Sequence, residues 1–319
     1  MFRRTLIAFL ALAFLATPAC GEEAAPGAVP ANSAGSASSG SMPAESAFPV
    51  TVGGVTVPGQ PQRIVSLSAT ATEILFAIDA GAQVVAVDDQ SNYPSTAPMT
   101  KLSGFQPNVE AIAGHSPDLV VVSFDPGGLV KSLRALDIPT LIQPAAASLR
   151  DTYQQIADLG DATGHGEEAT TVVAEMRSDI AAIVASVPEP SRTLRVYHEL
   201  DDTYYSATSR TFVGKIYRAF GLENIADGAH GKAGDYPQLS SEYIVSADPD
   251  LIVLADTKCC GQSADTVRAR PGWSSISALH TGEVLAADDD IVSRWGPRVV
   301  DFFRLVADGV IAIEHTIAA

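Results

Sequence analysis

Basic side chains are scarce in this 319-residue chain: 20 lysines and arginines stand against 37 aspartates and glutamates, a formal net charge of −17. A surface this acidic repels phosphate backbones, which argues against nucleic acid as a partner. Long apolar runs are missing too. The longest useful one, residues 6–16, is too short to cross a bilayer. There is no G-x-x-x-x-G-K-S/T and no G-x-G-x-x-G, so Gly53-Gly54 and Gly127-Gly128 are not phosphate loops, and no G-x-S-x-G offers a hydrolase its nucleophile turn. The six histidines are scattered, with no close pair at metal-ligand spacing. A receptor for bare zinc or manganese gathers imidazoles and carboxylates around the ion, so free metal ranks last among ligands.

Cysteine numbers only three, and each has a reading. Residues 1–19 carry Arg3-Arg4, the short apolar run and then small residues up to Cys20, the pattern of a secretory signal peptide. Cys20-Gly21 at the cleavage point resembles a bacterial lipoprotein signal, although Thr17-Pro18-Ala19 stands where that pattern usually has a leucine three residues before the cysteine. Residues 22–47 are almost wholly Ala, Ser, Gly, Pro and Glu and cannot bury enough apolar surface to order themselves. The expectation is a signal peptide (1–19), then a lipidated Cys20 with a disordered tether (20–47), holding the protein at the extracytoplasmic face of the cell membrane. The adjacent pair Cys259-Cys260 is an even remainder in an exported chain and is expected to form a disulfide, though neighbours close only a strained ring.

The folded part is built around one long helix. Ala169, Val172, Val173, Met176, Ile180, Ile183, Val184 and Val187 recur at three- and four-residue spacing and paint one apolar face over residues 167–187. The segments on either side repeat each other. Asn108-Val109-Glu110-Ala111-Ile112 with Pro117-Asp118-Leu119-Val120-Val121 matches Ser240-Ser241-Glu242-Tyr243-Ile244 with Pro249-Asp250-Leu251-Ile252-Val253, at a constant offset of 132 residues. Upstream, the strand at 63–67 pairs with 194–198, and the helix at 72–80 with 212–220, each stopped by glycine (Gly81, Gly221). Strands expected at 84–87, 119–123 and 140–142 alternate with helices at 109–113, 129–136 and 149–162, and a last helix covers 298–313. Such alternation means parallel sheet. The fold class is α/β, two parallel-sheet lobes (48–164 and 189–319) joined by one helix (165–188), with length enough for two cores.

Two α/β lobes on one long helix, exported and lipid-anchored, resemble the substrate-binding lipoproteins of ABC importers for ferric siderophores, haem and cobalamin. The likeness runs from about Arg63 to the C-terminus and rests on Arg63-Ile64-Val65-Ser66-Leu67, Ala71-Thr72-Glu73-Ile74-Leu75 and the two glutamate segments. It implies a class III periplasmic-binding-protein-like fold and a ligand held between the lobes. It implies a partnership with an ABC permease dimer and its ATPase subunits, with Glu110 and Glu242, one per lobe, docking on permease arginines. It implies a monomer that is no enzyme and keeps no cofactor of its own; the ligand is a ferric siderophore or cobalamin, with haem as the alternative. An exported esterase acting on ferric siderophores is the rival of another class.

Ligands of open α/β sheets collect beyond the carboxyl ends of the strands. By that rule the candidate contacts are Ser68, Thr70, Tyr93 and Phe105 from the first lobe, and Tyr205, Arg210, Tyr236, Arg294 and Trp295 from the second. Aromatic walls with a few arginines suit a large planar or chelated anion. Tyr204 and Tyr205 alternate, so only one can face the cleft. His198 and His230 stand near it, more simply explained as solvated or hydrogen-bonded than as metal ligands.

Overall fold

The polypeptide enters through an antiparallel hairpin, β1 (Val50–Val52) and β2 (Val55–Val57). Its turn needs positive φ at both central residues, and Gly53 (φ 55°) and Gly54 (φ 77°) supply it. The structure, a computed structural model, describes residues 48–229, 234–281 and 283–318. The expected signal peptide, Cys20, the tether and His230 lie outside the described residues.

A five-stranded parallel sheet follows. β3 (Ile64–Leu67) leads through α1 (Ala69–Ala77) to β4 (Val84–Asp88), then β5 (Met99–Leu102), α2 (Val109–Ala113), β6 (Leu119–Val122), α3 (Leu129–Arg134) and β7 (Thr140–Ile142), in the order β5-β4-β3-β6-β7. Next come α4 (Leu149–Thr163) and the 21-residue α5 (Gly166–Ser186). The second sheet uses β8 (Arg195–Glu199), β9 (Glu223–Asn224) after α6 (Phe212–Ala219), β10 (Leu251–Leu254) after α7 (Ser241–Ala247), and β11 (Val284–Ala286) after α8 (Ala264–Arg268) and α9 (Ser277–Thr281). Its order is β11-β10-β8-β9, again all parallel. Short α10 (Asp289–Ser293) and long α11 (Val299–Ala318) close the chain. Every residue of β3, β6 and β10 is buried, as the unbroken apolar runs of centrally placed parallel strands require.

The duplication is written in hydrogen bonds. Asp118 accepts from the backbone N–H of Arg63 at 2.9 Å, and Asp250 from that of Arg195 at 2.8 Å. The Arg63 guanidinium donates to the His115 carbonyl at 2.6 Å, and that of Arg195 to the Ala247 carbonyl at 2.5 Å. All three pairs of positions differ by 132 residues. In each half, then, one aspartate and one arginine pin the start of one strand (β3, β8) to the turn between the short helix (α2, α7) and the neighbouring strand (β6, β10), and the two sheets share the order β4-β3-β6-β7 and β9-β8-β10-β11.

Local detail differs from the sequence reading in three places. The strand alignment moves by one residue, Arg63 matching Arg195 rather than Leu194, because the Asp–Arg bonds and not the first apolar residue set the register. α1 begins at Ala69, three residues before the expected start, since Ser68 caps it by accepting from the Ala71 N–H. It also ends without a glycine: Asp79 takes the left-handed conformation (φ 62°) and Gly81 sits in a following 3-10 turn, whereas Gly221 (φ 72°) ends α6 as expected. Residues 200–211 separate β8 from α6, a longer link than the single cap residue between β3 and α1.

The expected pair of cores is also replaced by something more unified. The largest buried cluster runs from Ile64, Ile74, Leu119 and Ile156 in the first half through Met176 and Ile180 of α5 to Val196, Val253, Phe302 and Val306 in the second. Smaller clusters lie on the other face of each sheet, one around Leu102, Ile112 and Leu133, the other around Trp273 and Ile244. Helix α5 packs on α4 and α11, and every member of its predicted apolar stripe belongs to or touches the shared cluster. The described residues accordingly form one compact unit.

Candidate ligand-binding cleft

Both sheets present the carboxyl ends of their strands to a cleft made of two adjoining cavities. The first, about 250 Å³, is lined by the residues after β3 and β6 and by the loop after β5: Ser68, Thr70, Phe105, Phe124 and the buried Asp88 among them. The second, about 320 Å³, is lined by Ala146, His198, Phe212, Val213, Tyr236 and Val292. Ser293, Arg294 and Trp295 border both. A larger hollow of about 500 Å³ lies elsewhere, between the β1–β2 hairpin and the start of β7. It is not at the carboxyl edge of either sheet.

The aromatic wall on the first side depends on a close approach. A side chain at Gly104 would meet the Leu67 carbonyl at 2.7 Å and the Asp88 carboxylate at 2.8 Å, so only glycine lets this loop lie against the end of β3 and bring Phe105 in. Phe105 is 70% exposed and pairs with Phe124 at 6.1 Å between ring centroids. Facing them across the cleft, Tyr236 is 55% exposed.

Charge in the cleft is spent internally. Arg294 donates to Glu73 (2.8 Å), to Asn92 Oδ1 (2.9 Å), to the Gln90 carbonyl (3.0 Å) and to Asp290 (2.7 Å). Arg298 adds a fork onto the same Glu73 at 2.5 and 2.9 Å. Glu73, on α1, thus takes two guanidinium groups from the α10–α11 segment, with its side chain only 2% exposed. Asp290 completes the cluster with Lys258 and Asn92. Burial works to raise its pKa, but these hydrogen bonds and the charges of Arg294 and Lys258 outweigh burial and hold the carboxyl below its usual range. His198 is buried and bonded through Nδ1 to the Tyr217 hydroxyl at 2.6 Å, and burial holds its pKa down at about 4, so it is neutral at physiological pH. Among the described lining residues no cation is left unpaired. Nor is there, among the described residues, a cluster of three or more His, Cys, Asp or Glu fit to hold a metal ion.

The sequence-predicted contacts divide accordingly. Ser68, Thr70, Phe105, Tyr236, Arg294 and Trp295 come together around the cleft. Three do not line it. Tyr93 lies under the Arg298 guanidinium, 4.1 Å from the ring centroid; Tyr205 forms an isolated antiparallel bridge with Gln238; Arg210 pairs with Asp235 at 2.6 Å on the surface. Arg294 corrects the expectation in another way, since its guanidinium is engaged by protein acceptors instead of being offered to an anion. Phe124, Phe212 and Gln155 were missed. Phe124 is the second residue after β6 and was open to the same strand-end rule, and Gln155 stands out only as a buried amide on the apolar face of α4.

Cys259 and Cys260 are free, exposed thiols, not the expected disulfide. The backbone N–H groups of Thr257, Lys258 and Cys259 all donate to Asp289, which fixes the backbone of this loop. The hydrogen bond to Cys260 and partial desolvation push the Cys259 thiol up to about 12.

Beside this loop Asp256 is fully buried, with neither carboxyl oxygen hydrogen-bonded among the described residues. Burial, then the charge of Glu199, push its pKa up to about 7, against the pull of Arg270; Asp289 adds to the rise. Because the folded pKa exceeds the unfolded value of about 3.9, this group's stabilisation is full below pH 4 and is lost as pH climbs through 7. Asp256→Asn is therefore expected to remove a fall in stability between about pH 4 and 7 on the order of a few kcal/mol. Urea denaturation across that range measures it; equal pH slopes in both proteins would refute the assignment.

Glu110 and Glu242 occupy equivalent sites. Each is exposed in the first turn of its short helix, after the caps Asn108 and Ser240, and among the described residues neither carboxylate forms an ion pair.

Two parallel sheets sharing a core, with a cleft at their carboxyl edges, define the class III periplasmic-binding-protein fold. The chain belongs to the periplasmic binding protein family, whose model matches residues 64–291. It is similar to a cobalamin-binding protein of Halobacterium salinarum, 35% identical over 261 residues that cover 77% of this chain and 69% of that one. It is 30% identical to an ABC transporter substrate-binding lipoprotein of Bacillus subtilis, covering 82% of this chain and 86% of the relative. Among solved structures, the apo periplasmic heme-binding protein of Roseiflexus superposes with a TM-score of 0.70 at 25% identity, covering 80% of this chain and 99% of that one.

Proposed function

We propose that the protein is the extracytoplasmic substrate-binding component of an ABC importer and that its ligand is a corrinoid of the cobalamin type. The observation that carries the ligand choice is the cleft's electrostatics: aromatic rings on both sides and, among the described lining residues, no unpaired cation. Anionic ferric siderophores and the two propionates of haem call for free arginine or lysine. A corrinoid carries neutral amides around its rim, and its cobalt is already held by the ring nitrogens. It asks for apolar faces and hydroxyls, which Phe105, Phe124, Tyr236, Ser68 and Thr70 supply. The likeness to a cobalamin-binding protein at 35% identity supports the same choice. Family membership supports a receptor over the esterase. Glu110 and Glu242 serve as the permease contacts, and Cys20 as the lipid anchor.

Titration of the mature protein with cyanocobalamin, haemin and a panel of ferric siderophores, followed by intrinsic fluorescence, tests the ligand. Cyanocobalamin is expected to saturate one site. Phe105→Ala and Phe124→Ala are each expected to weaken it by about 1–3 kcal/mol, by analogy with base–aromatic stacking. Saturation by haemin or a siderophore with no response to cyanocobalamin would sink the corrinoid reading.

A further inference from the structure

Trp295, the one aromatic residue among the described lining that borders both cavities, is held by a single side chain. Its indole N–H donates to Gln155 Oε1 at 2.9 Å, and the Gln155 amide nitrogen donates to the Pro144 carbonyl at 2.6 Å. The bond crosses 140 residues of sequence, from the α10–α11 segment to α4. Gln155 is 6% exposed, and its amide has no choice of orientation. Flipped, it would turn a donor toward the indole N–H and an acceptor toward a carbonyl. The neighbouring Arg294 side chain is tied to Glu73, Asn92, Gln90 and Asp290, while the indole N–H of Trp295 is tied to α4 by Gln155. That bond restrains rotation of the ring about its side-chain torsions.

We infer that Gln155 is a positioning residue: it locks Trp295 as a septum, so that the ligand meets a fixed indole face with a separate chamber on each side. A side chain that accepts one hydrogen bond and donates another at buried sites is poorly replaced by an apolar isostere, because both partners are left unpaired. The inference rests on the cleft being the ligand site, but its structural half is independent of which ligand enters.

The protein contains two tryptophans, and the other, Trp273, is fully buried in the second half. Labelled with 5-fluorotryptophan, it gives two fluorine resonances, which Trp295→Phe assigns. In Gln155→Met the Trp295 resonance is expected to shift and broaden while that of Trp273 stays in place, and the affinity for cyanocobalamin is expected to fall about tenfold or more. Gln155→Glu keeps the acceptor for the indole and, with its carboxyl protonated against the Pro144 carbonyl, the donor as well, and at a pH low enough to protonate it is expected to leave the Trp295 resonance near its wild-type position. An unchanged Trp295 resonance in Gln155→Met overturns the inference. Should wild type fail to bind cyanocobalamin, the ligand reading falls while the fluorine spectra still decide the role of Gln155. If Gln155→Met does not fold, Gln155→Glu and Gln155→Asn decide it: loss of the Trp295 position in the shortened Gln155→Asn but not in Gln155→Glu supports the lock, and no difference between them overturns it.

Discussion

Glu73→Ala is expected to destabilise the protein by about 3–5 kcal/mol, the penalty for leaving a buried charge without its partner. Arg294 and Arg298 both close on this one carboxylate, and their side chains are 9% and 17% exposed, so water cannot readily take its place. The effect reaches further than stability. Glu73 is on α1 and the arginines flank Trp295, so the same bonds hold the α10–α11 segment against the first half. Glu73→Gln, which keeps the shape and two hydrogen-bonding atoms but loses the charge, is expected to fall between wild type and alanine. Urea unfolding of the three proteins measures the order. A loss below 1 kcal/mol in Glu73→Ala would mean that the cluster is a solvated surface pair in all but appearance.

Charge reversal at both Glu110 and Glu242 to arginine is expected to abolish uptake while leaving ligand affinity and thermal stability nearly unchanged. Each glutamate also sits where the positive end of a helix favours a carboxylate, by about 0.3–1 kcal/mol, and that alone would account for an acidic residue at either site. It does not account for exposure without an ion pair at two positions related by the duplication. Close charge pairs across an interface are coupled by roughly 1.5–7 kcal/mol, whereas exposed surface pairs give about 0–1. Transport into cells carrying the double variant measures this. Normal import, or loss of ligand binding in the purified protein, would remove these residues from the docking face.

What the sequence disclosed depended on how local the determinant is. The α5 stripe is a three- and four-residue pattern, and every residue read from it packs as expected. The duplication was visible because Asp118 and Asp250 must stand a fixed distance from the strand ends they cap. α2 and β7 fell on the residues expected. The cleft was only half legible. Phe105 and Trp295 follow from the strand-end rule, but the neutralisation of Arg294 depends on Glu73, 221 residues away. No spacing encodes that pairing, and an arginine near a cleft looks the same in sequence whether it is free or consumed. Tyr93 and Arg210 misled for the same reason, each being engaged by a partner that folding brings to it. The loop that carries Cys259 and Cys260 is held by Asp289, thirty residues on, a contact that no local spacing announces.

The buried cluster that runs beneath both sheets has a consequence for how such a molecule came about. One half alone would leave bare the apolar face now covered by Met176, Phe302 and Val306. A solitary repeat would need a cover for that face, and a second copy of itself in a symmetric dimer would supply one. Joining the copies would make their encounter independent of concentration and free each to diverge, leaving the Asp–Arg pins, the capped glutamate helices and the strand order as the matching features. It also means that neither repeat is a module that can be cut out, swapped or grown separately.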